Sequence, residues 1–342
     1  MPDYLQDLRE VIKRGQGSEL KKGVLLRGVR GLEKKLSRRR VDVNARGQRF
    51  FCEMLGGDVP EWMLKLCMAR LVRGDYSDWT GWEYRNEWAM GSYSPEVPNR
   101  RWRLEPVKSI AVLGEQGIGD EIMFGACLPD LMVRVPKVVL ECDPRLVPVF
   151  ERSFRIECKA RTDITHRGSE VIKYLTRERE EEAFIPLGDL PRLFRKDLSH
   201  FPRKPFLKPL PEMVEKWAHF KGRVGVAWRS RTQQLDPKTF GLDNPVCLQY
   251  DAWEYETEGM TVPECDLKDG VEDILGICAN LERVVTVPQT IVHFAGSIGA
   301  KVDVVKAPMG SSRVWDMFAY RYTNPMPWYP FISVYESIHA YR

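Results

Sequence analysis

The chain has no apolar run approaching the roughly 20 residues that span a bilayer, and its first residues, MPDYLQDLREVIKRG, contain no apolar signal segment. Membrane-spanning helices are therefore excluded, and a soluble, cytoplasmic protein is expected. Histidine is scarce, with five in 342 residues. The eight cysteines, Cys52, Cys67, Cys127, Cys142, Cys158, Cys247, Cys265 and Cys278, form no C-x-x-C pair and have no histidine at zinc-ligand spacing. Zinc modules and a disulfide framework drop out, leaving thiols of a reducing compartment. No Asp-x-Asp motif occurs. The glycine turn at 114–119 fits neither the G-x-G-x-x-G dinucleotide fingerprint nor the Walker sequence.

What is present is enough apolar sequence, 43% of residues, to build cores for two or three domains. Net charge is only +4, but it is unevenly spread: residues 1–50 hold 14 Lys and Arg against 6 Asp and Glu, leaving 38 against 42 in the remainder. Its densest part, Lys34 to Arg40, has no interleaved aromatic residue, so it suits phosphates rather than bases. A polyanionic neighbour and a merely solvated helical face both fit this asymmetry.

Residues 1–100 read as a basic helical extension, with a helical hairpin near 60–90 whose Trp79, Trp82, Tyr84 and Trp88 suit packing. The proline-bearing stretch 91–106 reads as a linker. A first α/β domain is expected over 105–205, with strands at Ile110–Leu113, Lys137–Cys142 and Ala183–Leu187. A Pro-rich boundary at 201–211 precedes a second over 211–335. Its strands are placed at Val224–Trp228, Val246–Gln249, Arg283–Val287 and Lys301–Lys306. Open α/β sheets bind ligands at the carboxyl ends of their strands, so a cleft is expected between the two domains.

Two strand–turn–helix units stand out. In Ser109–Leu131, Gly114, Gly117 and Gly119 are expected to take positive φ or approach a ligand closely, and Asp120 falls at the N-cap or in the first helical turn. Free N–H groups and the helix dipole there favour an anion or a sugar. Such turns also occur where no ligand binds. In the second unit, Thr286–Ala300, Gln289, Thr290 and the first-turn N–H groups suit a phosphate, with His293 one turn on as a hydrogen-bond donor or a packed residue. Arg229 after the first strand of this domain and Arg313 after the last are placed to meet a diphosphate, or to be solvated loop residues.

GEQGIGDEIMF (Gly114 to Phe124), VGVAW (Val224 to Trp228), CLQ (Cys247 to Gln249), TIVHFAGSIGA (Thr290 to Ala300) and PWY (Pro327 to Tyr329), in this order, resemble the glycosyltransferase module attached to tetratricopeptide repeats in bacterial and phage proteins. That module is similar to the family nine heptosyltransferases and, more distantly, to O-GlcNAc transferases. The resemblance spans roughly residue 60 to the C-terminus, and Leu71 to Trp88 looks like the last repeat. It implies a GT-B fold: two Rossmann-like α/β domains facing a cleft, behind an α-helical, tetratricopeptide-like extension. The first domain would bind the acceptor and the second a nucleotide-sugar co-substrate, with no metal and no other cofactor.

Residue by residue, the resemblance makes Asp120 the general base, with Gly117, Gly119 and Glu121 in the acceptor loop. Trp228, Arg229, Gln249, Gln289, Thr290, His293, Gly296, Arg313 and Trp315 fall on the donor side. Placed at a helix N-terminus, Asp120 is expected to have a lowered pKa and so to orient the acceptor more than deprotonate it. The chain departs from the family at Pro288-Gln289, where Asp-Thr is usual, and in the loop RSRTQQLDPKT, where Lys238 or Arg229 would have to replace the usual lysine. The leading expectation is a glycosyltransferase with an unidentified acceptor, a nucleic acid or an anionic glycan being suggested by the basic extension. The alternatives are a catalytically inactive GT-B-like binding or structural protein, and DNA binding without chemistry.

Overall fold

The computed structural model describes residues 67, 71, 76–77, 79, 81–82, 100–115, 117–161, 179–230, 233–306, 326–329 and 331–341. The basic run at 34–40, most of the expected hairpin, and Arg313 and Trp315 lie outside the described residues.

Among the described residues ten strands form two five-stranded sheets, and every strand pairing in them is parallel. The first contains β1 (Arg100–Arg101), β2 (Ser109–Leu113), β3 (Lys137–Cys142), β4 (Glu157–Ala160) and β5 (Ala183–Pro186), in the order β1-β5-β2-β3-β4. The second contains β6 (Val224–Ala227), β7 (Val246–Cys247), β8 (Arg283–Thr286), β9 (Val302–Val305) and β10 (Ile332–Tyr335), in the order β10-β9-β8-β6-β7. The central strands are built around runs of buried apolar residues because parallel strands require crossovers that cover both faces. Ile110, Ala111, Val112 and Leu113 are all fully buried.

The α-helices whose full extent falls among the described residues are α1 (Ile118–Gly125), α2 (Leu128–Met132), α3 (Val147–Phe154), α4 (Leu190–Phe194), α5 (Pro211–Lys216), α6 (Val271–Asn280), α7 (Thr290–Ser297) and α8 (Ile338–Tyr341). A proline stands first in α5 and second in α2, α3 and α4, within the first turn where its missing N–H has no intrahelical partner to lose and its fixed φ favours a helical start. Among the described residues no helix is long and apolar enough to cross a membrane.

Three strands depart from the sequence expectation. The linker at 91–106 contains β1, two arginines that hydrogen-bond alongside β5. Strand β4, ECKA, pairs with β3, and β10 pairs with β9. All three are short edge strands formed through backbone pairing, so their side chains carry little of the apolar signal that marks the centre of a sheet.

Aromatic side chains join the N-terminal residues to both sheets. Tyr76 meets Phe201 (centroids 4.6 Å apart), Phe201 meets Trp328 (4.9 Å), Trp328 meets Phe124 of α1 (6.2 Å), and Phe124 meets Trp82 (6.3 Å). Trp79 closes the ring between Trp82 (5.8 Å) and Tyr76 (6.2 Å). The indole N–H groups of the two N-terminal tryptophans are satisfied at carbonyls: Trp79 donates to Arg195 O at 2.7 Å and Trp82 to Gly188 O at 2.6 Å. These tryptophans therefore pack, as expected. Between the sheets, Arg152 of α3 clasps Glu272 of α6 with two bonds of 3.0 and 2.9 Å, and Arg145 meets Asp269 at 2.7 Å.

Trp328→Ala is expected to cost about 3–5 kcal/mol, as for other large-to-small changes at fully buried aromatics, whereas Phe331→Ala, at a 49% exposed position, should cost far less. Urea unfolding of the two variants measures the difference.

Candidate functional site at the helix α1–α7 contact

In the first sheet, β2 lies between β5 and β3; in the second, β6 lies between β8 and β7. These are points where the winding reverses, and the turns beyond them are the natural places for a ligand. At the first such point Glu115, 2% exposed, accepts a 2.6 Å hydrogen bond from the Gly188 N–H beyond β5. Sequence reading did not single out Glu115; its only signal was a carboxylate immediately after a buried strand.

Helices α1 and α7 touch at Gly119 and His293. A Cβ on Gly119 would come within 2.6 Å of His293 Cδ2, so the glycine permits the approach. Gly114, Gly117 and Gly119 all lack positive φ. Close packing rather than a left-handed backbone requires the first and the third: a Cβ on Gly114 would strike the Glu121 carboxylate and the Glu141 carbonyl, whereas at Gly117 the nearest atom would be Asp120 Oδ2 at 3.4 Å.

Asp120 is partly exposed at the third position of α1, and its Oδ2 accepts the Gly117 N–H at 3.1 Å. Burial by the surrounding protein pushes its pKa up to about 6; the Gly117 bond pulls the other way and the nearby Glu115 charge adds to the rise. The expected lowering is thus corrected. Desolvation of the carboxylate outweighs a helix terminus of only a fractional charge.

His293 is 5% exposed, and a 2.8 Å hydrogen bond joins its Nδ1 to the Tyr329 hydroxyl. Burial lowers its pKa to about 3, so the imidazole is neutral. Tyr329 is completely buried; burial raises its pKa well above the ordinary value, and the Asp120 charge adds to that rise. Asp120, His293 and Tyr329 thus share one locality. At the start of α7 the Gln289 side chain does not cap the helix; its amide donates instead to Thr286 Oγ1 at 3.0 Å. Gln289 and Thr290 are both partly exposed there.

Other expected contacts are committed elsewhere. Glu121 is fully buried, 3.2 Å from Arg161, and accepts the Asp143 N–H at 2.7 Å; burial raises its pKa to about 8. It braces the strand ends of the first sheet and is no open acceptor-loop group. Trp228 is fully buried, with Nε1 directed to Glu256 at 3.3 Å. Arg229 holds Glu256 at 2.7 Å and Asp251 at 3.3 Å, so its charge is already matched. Gln249 Oε1 accepts the Trp228 and Arg229 N–H groups at 3.1 and 2.9 Å. Gly296 serves packing: a Cβ there would lie 2.7 Å from Ile332 and Tyr329 atoms. Lys238 is exposed and 3.7 Å from Glu258.

These features define a two-sheet, parallel α/β protein with a carboxylate of raised pKa beside the contact of two helices, one from each sheet. No family model matches the sequence. Over 79% of its length the chain is 28% identical to Protein FlbA of Caulobacter vibrioides, covering 50% of that protein, so it spans about half the length of this curated relative. Among solved structures it is similar to a glycosyl transferase family 9 protein from Veillonella parvula, at 13% identity and a TM-score of 0.48, covering 69% of this chain and 88% of that one. It is also similar to E. coli ADP-heptose lps heptosyltransferase II, at 12% identity and 0.42, covering 66% and 90%. A third is E. coli heptosyltransferase WaaC with ADP-2-deoxy-2-fluoro heptose, at 10% and 0.43, covering 68% and 97%. Likeness of this degree assigns no activity.

The raised pKa of Asp120 has a consequence for stability. Its folded-state value, about 6, exceeds the ordinary 3.8, so the stability associated with the neutral carboxyl is fully present below pH 3.8 and is lost as pH rises through about 6. Asp120→Asn, which does not ionise, should therefore gain in Tm relative to the wild type by a few degrees between pH 4 and 7. Calorimetry across that range checks it; a pH-independent difference would place the carboxyl near its ordinary pKa.

Proposed function

We propose that the chain is a metal-independent glycosyltransferase, moving a sugar from a nucleotide-diphosphate sugar to an acceptor hydroxyl across a GT-B-like cleft. In this reading the unit over 105–205 receives the acceptor and the unit over 211–335 the donor. The observation that carries it is Asp120: a partly exposed carboxylate with a pKa of about 6, close enough to neutrality to be mostly ionised at pH 7 and still basic enough to accept a proton.

In the transfer, the acceptor oxygen forms its bond to the anomeric carbon while its proton passes to Asp120. The bond from that carbon to the diphosphate oxygen breaks, and the diphosphate leaves with the electron pair. The first-turn N–H groups of α7, beside Gln289 and Thr290, would stabilise that departing charge. With a pKa of about 3, His293 does not supply a positive charge; it holds Tyr329 and spaces the two helices. Arg229, paired with Glu256 and Asp251, is not assigned to the diphosphate. That pairing favours the second reading, a non-catalytic protein that keeps the fold and binds without turnover.

A thermal-shift screen against UDP-, GDP- and ADP-sugars, followed by a transfer assay with any sugar nucleotide that binds, separates the two. A donor at 100 times its Kd should stabilise the protein by about 2.7 kcal/mol. Asp120→Asn should retain that stabilisation and lose about 100-fold or more in transfer rate, and the wild-type rate should rise with pH through about 6, since the ionised form is the base. If no nucleotide sugar stabilises the protein, the non-catalytic reading stands.

A further inference from the structure

The turn between β2 and α1 gathers carboxylates. A Cβ on Gly114 would strike the Glu121 carboxylate, and Asp120 Oδ2 lies against Gly117, whose N–H it accepts at 3.1 Å. Glu115 stands between these two glycines.

Glu115 is 2% exposed, and backbone groups place it. Its Oε1 accepts the Gly188 N–H at 2.6 Å, and the Gly188 carbonyl in turn accepts the Trp82 indole N–H at 2.6 Å. Gly188 belongs to the 3-10 helical turn Leu187–Asp189, which is buried throughout and packs on α1. The Glu115 carboxylate is thus fixed in the turn that precedes α1, too deep to touch a substrate.

Several elements bring titratable or charged groups toward Asp120. On α1 itself, Glu121 is answered by Arg161 at 3.2 Å and by the Asp143 N–H at 2.7 Å. From α7 comes His293, whose pKa of about 3 leaves it neutral, and beside it Tyr329, a phenol that burial keeps protonated. The turn Leu187–Asp189 contributes Asp189, which is paired with Arg101 and, at 3.9 Å, with Arg192. Glu115 is the neighbour whose charge acts on Asp120, adding to the rise that burial causes. In a site removed from water, a like charge disfavours ionisation of its neighbour.

We propose that Glu115 is a positioning residue of the transfer site: a buried negative charge, held by the Gly188 N–H, that strengthens the hold of Asp120 on the proton taken from the acceptor hydroxyl. The proposal rests on the glycosyltransferase reading and deepens it by assigning the group that tunes the base. Without Glu115, Asp120 would still ionise but would accept that proton less readily.

The test uses the full chain with neither donor nor acceptor. Asp120 is titrated by carbon NMR of protein labelled at the aspartate carboxyl carbons, its resonance being the one lost in Asp120→Asn. The wild-type midpoint should lie near pH 6 and stay above 3.8 in Glu115→Gln, because burial persists. Loss of the like charge should lower it by about 0.5 to 1 in that variant. Gln keeps an oxygen for the Gly188 N–H, so the thermal transition should be retained. Glu115→Ala, which removes charge and acceptor together, is the second variant and should move the midpoint the same way. The proposal is overturned if the midpoint stays or rises in Glu115→Gln, or in Glu115→Ala should the former not fold. It is equally overturned if only Glu115→Ala lowers the midpoint, which assigns the effect to the anchor and not the charge. Where transfer is found, the acidic limb of kcat/KM should move down with the midpoint. A lowered midpoint with no transfer from any nucleotide sugar removes the glycosyltransferase reading and leaves the carboxylate coupling standing; an unmoved midpoint beside active transfer does the reverse.

Discussion

The approach of α1 to α7 at Gly119 and His293 is the contact on which the candidate site depends. A side chain on Gly119 would collide with the imidazole, so the absence of one sets the spacing of two helices that belong to different sheets. The imidazole is held by the Tyr329 hydroxyl, and Tyr329 follows Trp328, which packs between Phe124 and Phe201. Backbone turn, helix contact and aromatic packing form one mechanical unit, and Asp120 sits next to its narrowest point.

Two electrostatic effects compete at Asp120, and their magnitudes decide its chemistry. The Gly117 N–H and the start of a short helix favour the ionised form; removal from water and the Glu115 charge oppose it, and burial is the largest. A helix terminus contributes a partial charge that solvent screens, whereas desolvation acts on the full charge of the carboxylate. Glu121, one residue further on, is deeper still and is answered by Arg161 and the Asp143 N–H. Adjacent carboxylates on one helix therefore take different tasks, one open and reactive in the proposed function, the other bracing the sheet edge.

The donor side of the second sheet shows how a motif can be occupied by structure. Trp228, Arg229 and Gln249 form a closed set with Asp251 and Glu256, and Arg229 is committed within that set rather than open. Their spacing along the chain could not reveal this, because Glu256 lies 28 residues from Trp228 and the match requires the sheet to bring them together.

By itself the sequence determined the parallel α/β character, the central strands and the two strand–turn–helix units, because continuous apolar runs and glycine turns are local signals written in neighbouring residues. It did not reveal β1, β4 or β10, whose pairing is carried by backbone groups common to every residue. The proximity of Asp120 to His293 and Tyr329, the direction of the Asp120 pKa shift, and the inward commitment of Glu121, Trp228 and Arg229 were decided only by the tertiary structure. Each depends on desolvation or on partners far away in sequence, and burial is a property of the packed chain, not of the order of its residues.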